Sequence, residues 1–125
     1  MYAILLSINP IHVDSILNGS KGYEFRKVQC KKKVSKIIIY STSPVMKIVG
    51  EADIEIVLKR SPEDIWKITS EQAGVDKKFF DDYYKGKDFA IAYKLRNVKK
   101  YTKVKSLSDY GLITAPQSFA YVNQD

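Results

Sequence analysis

Three charged residues fall close together in the stretch GSKGYEFRK, residues 19–27: Lys21, Glu24 and Arg26. An arginine offers a rigid donor fork for a phosphate or a base edge, a glutamate accepts from amino and imino protons, and a lysine supplies a point charge. Together they suit a polar, planar ligand. If the site is catalytic, Lys21 and Glu24 are the candidate pair for proton transfer. The competing reading is an exposed Glu24/Arg26 pair on a solvated strand, which contributes only ~0–1 kcal/mol.

The elements around the trio decide how it is presented. In a strand successive side chains alternate faces, so over residues 22–27 Tyr23 and Phe25 point one way, into the core, and Glu24 and Arg26 the other. Lys21 enters just before them from a turn bracketed by Gly19 and Gly22. Upstream, residues 2–8 read as a first strand. Asn9 and Pro10 then start a helix of about two turns with Val13, Ile16 and Leu17 on its apolar face. Downstream, the run KIIIYSTS reads as a central strand covered on both faces. It ends at Ser41, Thr42 and Ser43, hydroxyls available at the mouth of the same cavity. Residues 48–58 alternate, with Ile48, Gly50, Ala52, Ile54, Ile56 and Leu58 on one face and Glu51, Asp53 and Glu55 on the other. Ser61 with Pro62 starts one helix carrying Ile65, Trp66 and Ile68. Asp76 starts another, which stops at Gly86. Residues 88–96 and the closing SFAYV are further strands. About six strands with two or three short helices suit a small α+β domain on a curled sheet or barrel, occupying residues 1–125 as one unit. Parallel βαβ winding is disfavoured, because strands follow one another between residues 22 and 58 without an intervening helix.

Several chemistries lack support. There is no GxxxxGK[ST] or GxGxxG loop for a phosphate cradle. One histidine and one cysteine make a transition-metal site of ordinary composition improbable, so no metal or cofactor is expected. His12 reads as a surface imidazole in the first turn of its helix, and Cys30 as an ordinary thiol in a basic loop. Phe79, Tyr83 and Tyr84 read as helix packing rather than a base-stacking platform. The apolar runs fall far short of the ~20 residues of a membrane helix, and the N-terminal residues lack the features of a signal peptide, so the expected location is the cytoplasm. The balance of 21 Lys+Arg against 14 Asp+Glu, net +7, suits a polyanionic partner. The cations are segregated. Lys94, Arg96, Lys99, Lys100, Lys103 and Lys105 form one cluster and Arg26, Lys27, Lys31, Lys32, Lys33 and Lys36 another, while most acids lie between Glu51 and Asp88.

Gly19, Lys21, Glu24 and Arg26 fit a GxKxxExR pattern, and the sequence at this point resembles the ASCH domains, relatives of the PUA fold. The resemblance runs along essentially the whole chain: SINPIHVDSILNGSKGYEFRK, IIIYSTSPV, IVGEADIEIV, the Trp66 helix, FAIAY and APQSFAYV follow the order of segments in small stand-alone bacterial members. It implies a small mixed PUA-like β-barrel with peripheral helices and a cleft beside it lined by Lys21, Glu24 and Arg26. Ser41, Thr42, Ser43, Gln117 and Ser118 follow as further ligand-binding candidates. It also implies a module that binds RNA or a modified nucleotide, with Lys31, Lys32, Lys33, Lys99, Lys100 and Lys103 as a steering basic surface. The alternative it carries is a hydrolase of amidohydrolase or ribonuclease type. In a branch of similar proteins that remove acetyl from acetylated cytidine, a lysine, a threonine and a later glutamate do the chemistry. Here Lys21 matches the lysine, but Glu24 stands at the threonine position, and Glu51 or Asp53 would have to supply the second carboxylate.

Overall fold

Two uninterrupted apolar runs put two strands in the middle of the fold. Strand β1 (Tyr2–Ile8) pairs in parallel with β3 (Val34–Ser41), Ile4 opposite Ile37 and Leu6 opposite Ile39. Because side chains alternate, each strand feeds two cores. Ile4, Leu6, Ile8, Ile37 and Ile39 meet Val13 and Ile16 of α1 (Pro10–Leu17) on one face. Ala3, Leu5, Ile38 and Tyr40 lie on the other, against Leu107, Tyr110 and Leu112. Each fully buried Ile or Leu is worth roughly 1.5–3 kcal/mol relative to exposure, so these runs dominate the stability of the sheet.

The computed structural model describes residues 2–123. Its sheet has six strands in the order β2-β5-β4-β3-β1-β6, with β2 (Tyr23–Arg26), β4 (Lys47–Arg60), β5 (Ala90–Lys105) and β6 (Phe119–Asn123) joining by antiparallel ladders. The parallel β1–β3 pair departs from the expectation that βαβ winding is disfavoured. The crossover between the two strands contains α1 and also β2, which pairs at the far edge of the sheet, so the sequence between residues 22 and 58 reads as consecutive strands although β2 and β3 are not neighbours in the sheet.

Helices α2 (Pro62–Thr69) and α3 (Lys77–Tyr84), linked through a 3-10 turn at Ser70–Gln72, cover β2 and β5. Their starts follow the sequence signals: the side chains of Asn9, Ser61 and Asp76 accept from the backbone N–H of Ile11, Asp64 and Phe79 at 3.0, 3.2 and 2.8 Å. Such caps are worth about 1 kcal/mol each. Phe80 centres the third core, with Phe25, Trp66 and Tyr84 rings 5.2, 5.0 and 4.9 Å from its own.

The alternation expected through residues 48–58 holds only from Gly50 to Ile54: Val49 is an extra residue against β3 that puts Ile48 on the opposite face, in the core with Leu5 and Tyr40, and the pattern reverses again after Ile54. Ile54 pairs with Leu95 and Ile56 with Lys94, so Glu55 is an extra residue against β5, and this bulge turns Ile56 outward, 48% exposed, while Val57 packs inward. A sequence pattern of period two carries no sign of where such a residue is inserted.

The sheet is curled rather than closed by a ladder between its edge strands. Side chains bridge the gap: Arg26 of β2 donates to the carbonyl of Ser7 on β1 at 3.0 Å, and Tyr121 of β6 accepts from the N–H groups of Lys31 and Lys32 in the loop that follows β2, at 2.8 and 3.0 Å. No helix among the described residues is long and apolar enough to cross a membrane.

Candidate functional site

The site forms where the end of β1 meets the edge strand β2. Successive carbonyls of a strand point in opposite directions. Ile8 O accepts from Thr42 N, toward β3, so Ser7 O points away from β3, to the side where β6 pairs no further than Leu6. That carbonyl takes its hydrogen bond from Arg26 Nη2. The guanidinium also grips its strand neighbour on the same face, with Nε and Nη2 at 3.0 and 2.9 Å from Glu24 Oε2. Glu24 is 6% exposed and Lys21 3%, so the surface-pair reading of Glu24 and Arg26 is overturned: the edge strand is covered by α3 on one side and by the end of β1 and α1 on the other.

Lys21 is held from three directions. Its N–H donates to Ser15 O of α1 at 2.9 Å, its ammonium donates to Ala73 O at 2.9 Å, and Nζ lies 4.5 Å from the Phe25 ring centroid. Gly74 presses against its stem, leaving no room for a β-carbon, which would sit 2.5 Å from Lys21 Cβ. Burial lowers the pKa of Lys21, Glu24 opposes this, and Arg26 adds to it. Gly19, which opens this turn, has φ +89°, the left-handed region that favours glycine.

These residues line a cleft of about 160 Å³ together with Ser7, Ile8, Asn9 and His12 from the β1–α1 corner and Phe25, Val75, Phe79, Phe80 and Tyr83. Three functional groups are open to it. Both contacts between Glu24 and Arg26 use Oε2, so Oε1 has no hydrogen-bond partner among the described residues, and neither has Arg26 Nη1 or the His12 ring. Among the described residues no fully buried side-chain nitrogen or oxygen lacks a partner, so these atoms are open to the cleft they line. The walls are aromatic. Phe79 and Tyr83 run parallel within 7°, centroids 6.4 Å apart, and the exposed Phe79 meets the edge of His12 at 5.2 Å. Burial raises the Tyr83 pKa, keeping its hydroxyl protonated, and that hydroxyl lies 3.4 Å from Phe25 O.

Two readings of the sequence are thereby corrected. His12 is not a surface imidazole: it is partly buried in the cleft, and burial and the Lys21 ammonium hold its pKa below the ordinary imidazole value against the opposing pull of Glu24. Phe79 and Tyr83 belong to the cleft wall, whereas Tyr84 is core, its hydroxyl within 2.9 Å of Arg26 O and 3.2 Å of Ile91 O. The signal for His12 was the short α1 itself, whose corner with β1 puts the first turn beside β2.

The remaining candidates lie outside the lining. Ser41 is buried at the end of β3, Thr42 binds Ile8 O through its N–H, and Ser43 is exposed. Gln117 and Ser118 are exposed in the approach to β6, beside Pro116, whose carbonyl accepts from Ser7 Oγ at 2.7 Å. Neither Glu51 nor Asp53 faces the cleft: Glu51 binds Lys36 and Tyr101, and Asp53 binds Asn97. Among the described residues no cluster of His, Cys, Asp and Glu is placed to hold a metal ion. Cys30 is buried against the Tyr93 hydroxyl.

The two lysine clusters do not share an unbroken face. Strand β4 runs between β3 and β5, and its acids pair across: Glu51 with Lys36 and opposite Lys99, Glu55 with Lys94. Lys31, Lys32 and Lys33 instead follow directly from β2 and its cleft. Lys32 Nζ stands 4.2 and 5.0 Å from the Tyr2 and Tyr121 rings.

A family model described as a domain of unknown function, DUF365, matches residues 9–115. Among curated proteins the chain is 35% identical over 120 residues to large ribosomal subunit protein uL22 of Ureaplasma parvum serovar 3, covering 95% of this chain and 39% of that protein. The chain thus spans about two fifths of that relative's length. It is 28% identical over 94 residues to an ASCH domain-containing ribonuclease of Zymomonas mobilis, covering 74% of this chain and 64% of that one. The crystal structure of ASCH from Zymomonas mobilis matches the fold with a TM-score of 0.87 at 24% identity, over 98% of this chain and 88% of that chain. The chain therefore belongs to the DUF365 family, an ASCH family, and its fold is the PUA-like fold of ASCH domains.

Proposed function

We propose that this chain binds single-stranded RNA and takes one nucleotide, ordinary or modified, into the cleft of Lys21, Glu24 and Arg26. The observation that carries the reading is the set of unused polar atoms, Glu24 Oε1 and Arg26 Nη1, opening between aromatic walls. An unpaired base stacks on aromatic rings and offers its edge to a carboxylate, while its phosphate takes a guanidinium. The volume admits one base rather than a helix. Outside the cleft, Lys31, Lys32 and Lys33, in the loop that follows β2, are the cations this reading gives to the following phosphates. Lys99 and Lys100 lie across the acid-bearing β4 and contribute less.

The test is anisotropy with mixed-sequence single-stranded RNA at several salt concentrations. Arg26→Lys, which keeps the charge and loses the fork, weakens binding about tenfold or more. Lys32→Gln mainly reduces the slope of log K against log salt, by about 0.7. Equal, small effects of the two substitutions would refute the reading.

A second reading, RNA cleavage in the same cleft, is favoured by His12 beside Lys21 and by the relative named a ribonuclease. The amidohydrolase alternative has less support: Glu24 replaces the threonine, and Glu51 and Asp53 lie elsewhere. A screen of acylated nucleosides that yields product lost in Lys21→Ala would reverse that order.

A further inference from the structure

The cleft holds one side chain for which RNA binding alone has no use. His12 projects from α1 with neither ring nitrogen bonded to a described residue, its ring braced edge-on by Phe79. It shares the cleft with an ammonium, Lys21, and a guanidinium, Arg26, with Glu24 held against the guanidinium and Tyr83 also in the lining. A free imidazole, a cation that can give up a proton and a second, permanent cation are the three groups that intramolecular transesterification of RNA requires.

We propose, resting on the RNA-binding reading of this cleft, that His12 is the proton acceptor in RNA strand scission by the substrate's own 2′-hydroxyl. His12 takes the 2′-hydroxyl proton as that oxygen bonds to the adjacent phosphorus. The P–O5′ bond breaks, and the departing 5′-oxygen takes a proton from the Lys21 ammonium. The products are a 2′,3′-cyclic phosphate and a 5′-hydroxyl. The proton on His12 then returns to Lys21 through solvent, which restores both groups without oxidant, reductant or co-reactant. Arg26 offsets the charge gathering on the phosphoryl oxygens.

The protonation states fit these roles. Burial and Lys21 keep His12 neutral near pH 7, the form that accepts a proton, and burial makes Lys21 a stronger acid than an exposed lysine. The seat of Lys21 fixes the donor in the cleft lining: its backbone N–H is tied to Ser15 O, its ammonium to Ala73 O, and Nζ lies over the Phe25 ring.

The experiment follows binding and scission on the same samples: 5′-labelled single-stranded RNA, and the same oligonucleotide with 2′-deoxy sugars, incubated in chelator-containing buffer with wild type, His12→Ala and His12→Gln. Termini are identified by mass spectrometry and affinity is read by anisotropy. The expected result is cyclic-phosphate ends from the RNA, none from the deoxy strand, and a rate at least about 100-fold lower in both variants. Affinity changes by less than about threefold, and added imidazole restores part of the His12→Ala rate. Undiminished cleavage by the variants, 5′-phosphate products, or bound RNA that is not cut each overturn the role of His12 while leaving the binding reading standing. Failure of the wild type to bind RNA overturns both.

Discussion

Replacing Arg26 by alanine separates a buried ion pair from a surface one. The substitution removes contacts of 3.0 and 2.9 Å to Glu24 Oε2 and the 3.0 Å bond to Ser7 O. What remains is a carboxylate whose side chain is 7% exposed and whose strand carbonyl neighbour has lost its donor. Stranding one member of a buried pair costs about 3–5 kcal/mol, and an unsatisfied buried carbonyl about 1–3 kcal/mol more. The cleft admits water to both groups, so the expected loss is at the lower end of the first range, about 3 kcal/mol. In urea, with a slope of roughly 1–3 kcal/mol/M, that moves the unfolding midpoint down by at least about 1 M. Glu24→Gln placed in the Arg26→Ala background removes the uncompensated charge and recovers more than about 1 kcal/mol, a coupling that a double-mutant cycle reads directly. A loss below about 1 kcal/mol for Arg26→Ala, the value of an exposed pair, with no recovery in the double variant would refute the burial argument.

Two further substitutions probe how the site is held. Gly74→Ala places a β-carbon 2.5 Å from Lys21 Cβ at a backbone φ of +69°, and it should cost at least about 1–3 kcal/mol in thermal unfolding and weaken RNA binding together; a stable variant that binds normally would show that Lys21 needs no fixed seat. Tyr84→Phe removes the hydroxyl that joins α3 to the register pair Arg26 and Ile91. It should cost about 1–2 kcal/mol by urea unfolding, and no measurable loss would mean that those carbonyls are satisfied without it.

What the sequence disclosed follows from interactions that are local or periodic. Apolar runs named the two central strands, cap residues named three helix starts, and alternation put Glu24 and Arg26 on one face. What it concealed depends on contacts between distant segments. Whether the Glu24 face meets water or a wall is decided by Ser7 and by α3, which lie 19 and more than 50 residues away along the chain from Arg26. In the sequence His12 looks like a surface residue and Phe79 like a helix-packing one, and both become cleft residues only where their helices meet. The outward turn of Ile56 comes from one inserted residue, and the separation of the lysine clusters from the order in which β4 and β5 pair.

The cleft's position has a common cause with the curl of the sheet. A curled sheet that stops short of closure leaves edge groups without ladder partners, and these must be satisfied if they are not to face a dry interior. Ser7 O is such a group beyond the end of β6, and Arg26 satisfies it, which draws β2 toward β1. The guanidinium is then committed on one side, and its remaining donors turn away from the sheet into the gap that the incomplete closure leaves. Glu24 is present because a guanidinium so deeply placed needs a counter-charge, and Lys21 because the turn that starts β2 must pass the end of α2 and its 3-10 extension, where Ala73 O is available to an ammonium. Aromatic residues of α3 cover the rest. The same side chains thus complete the architecture and line the cleft, so a substitution there is expected to alter stability and ligand affinity together, whereas His12, whose ring makes no hydrogen bond to a described residue and only packs against Phe79, can be removed with the least effect on the fold.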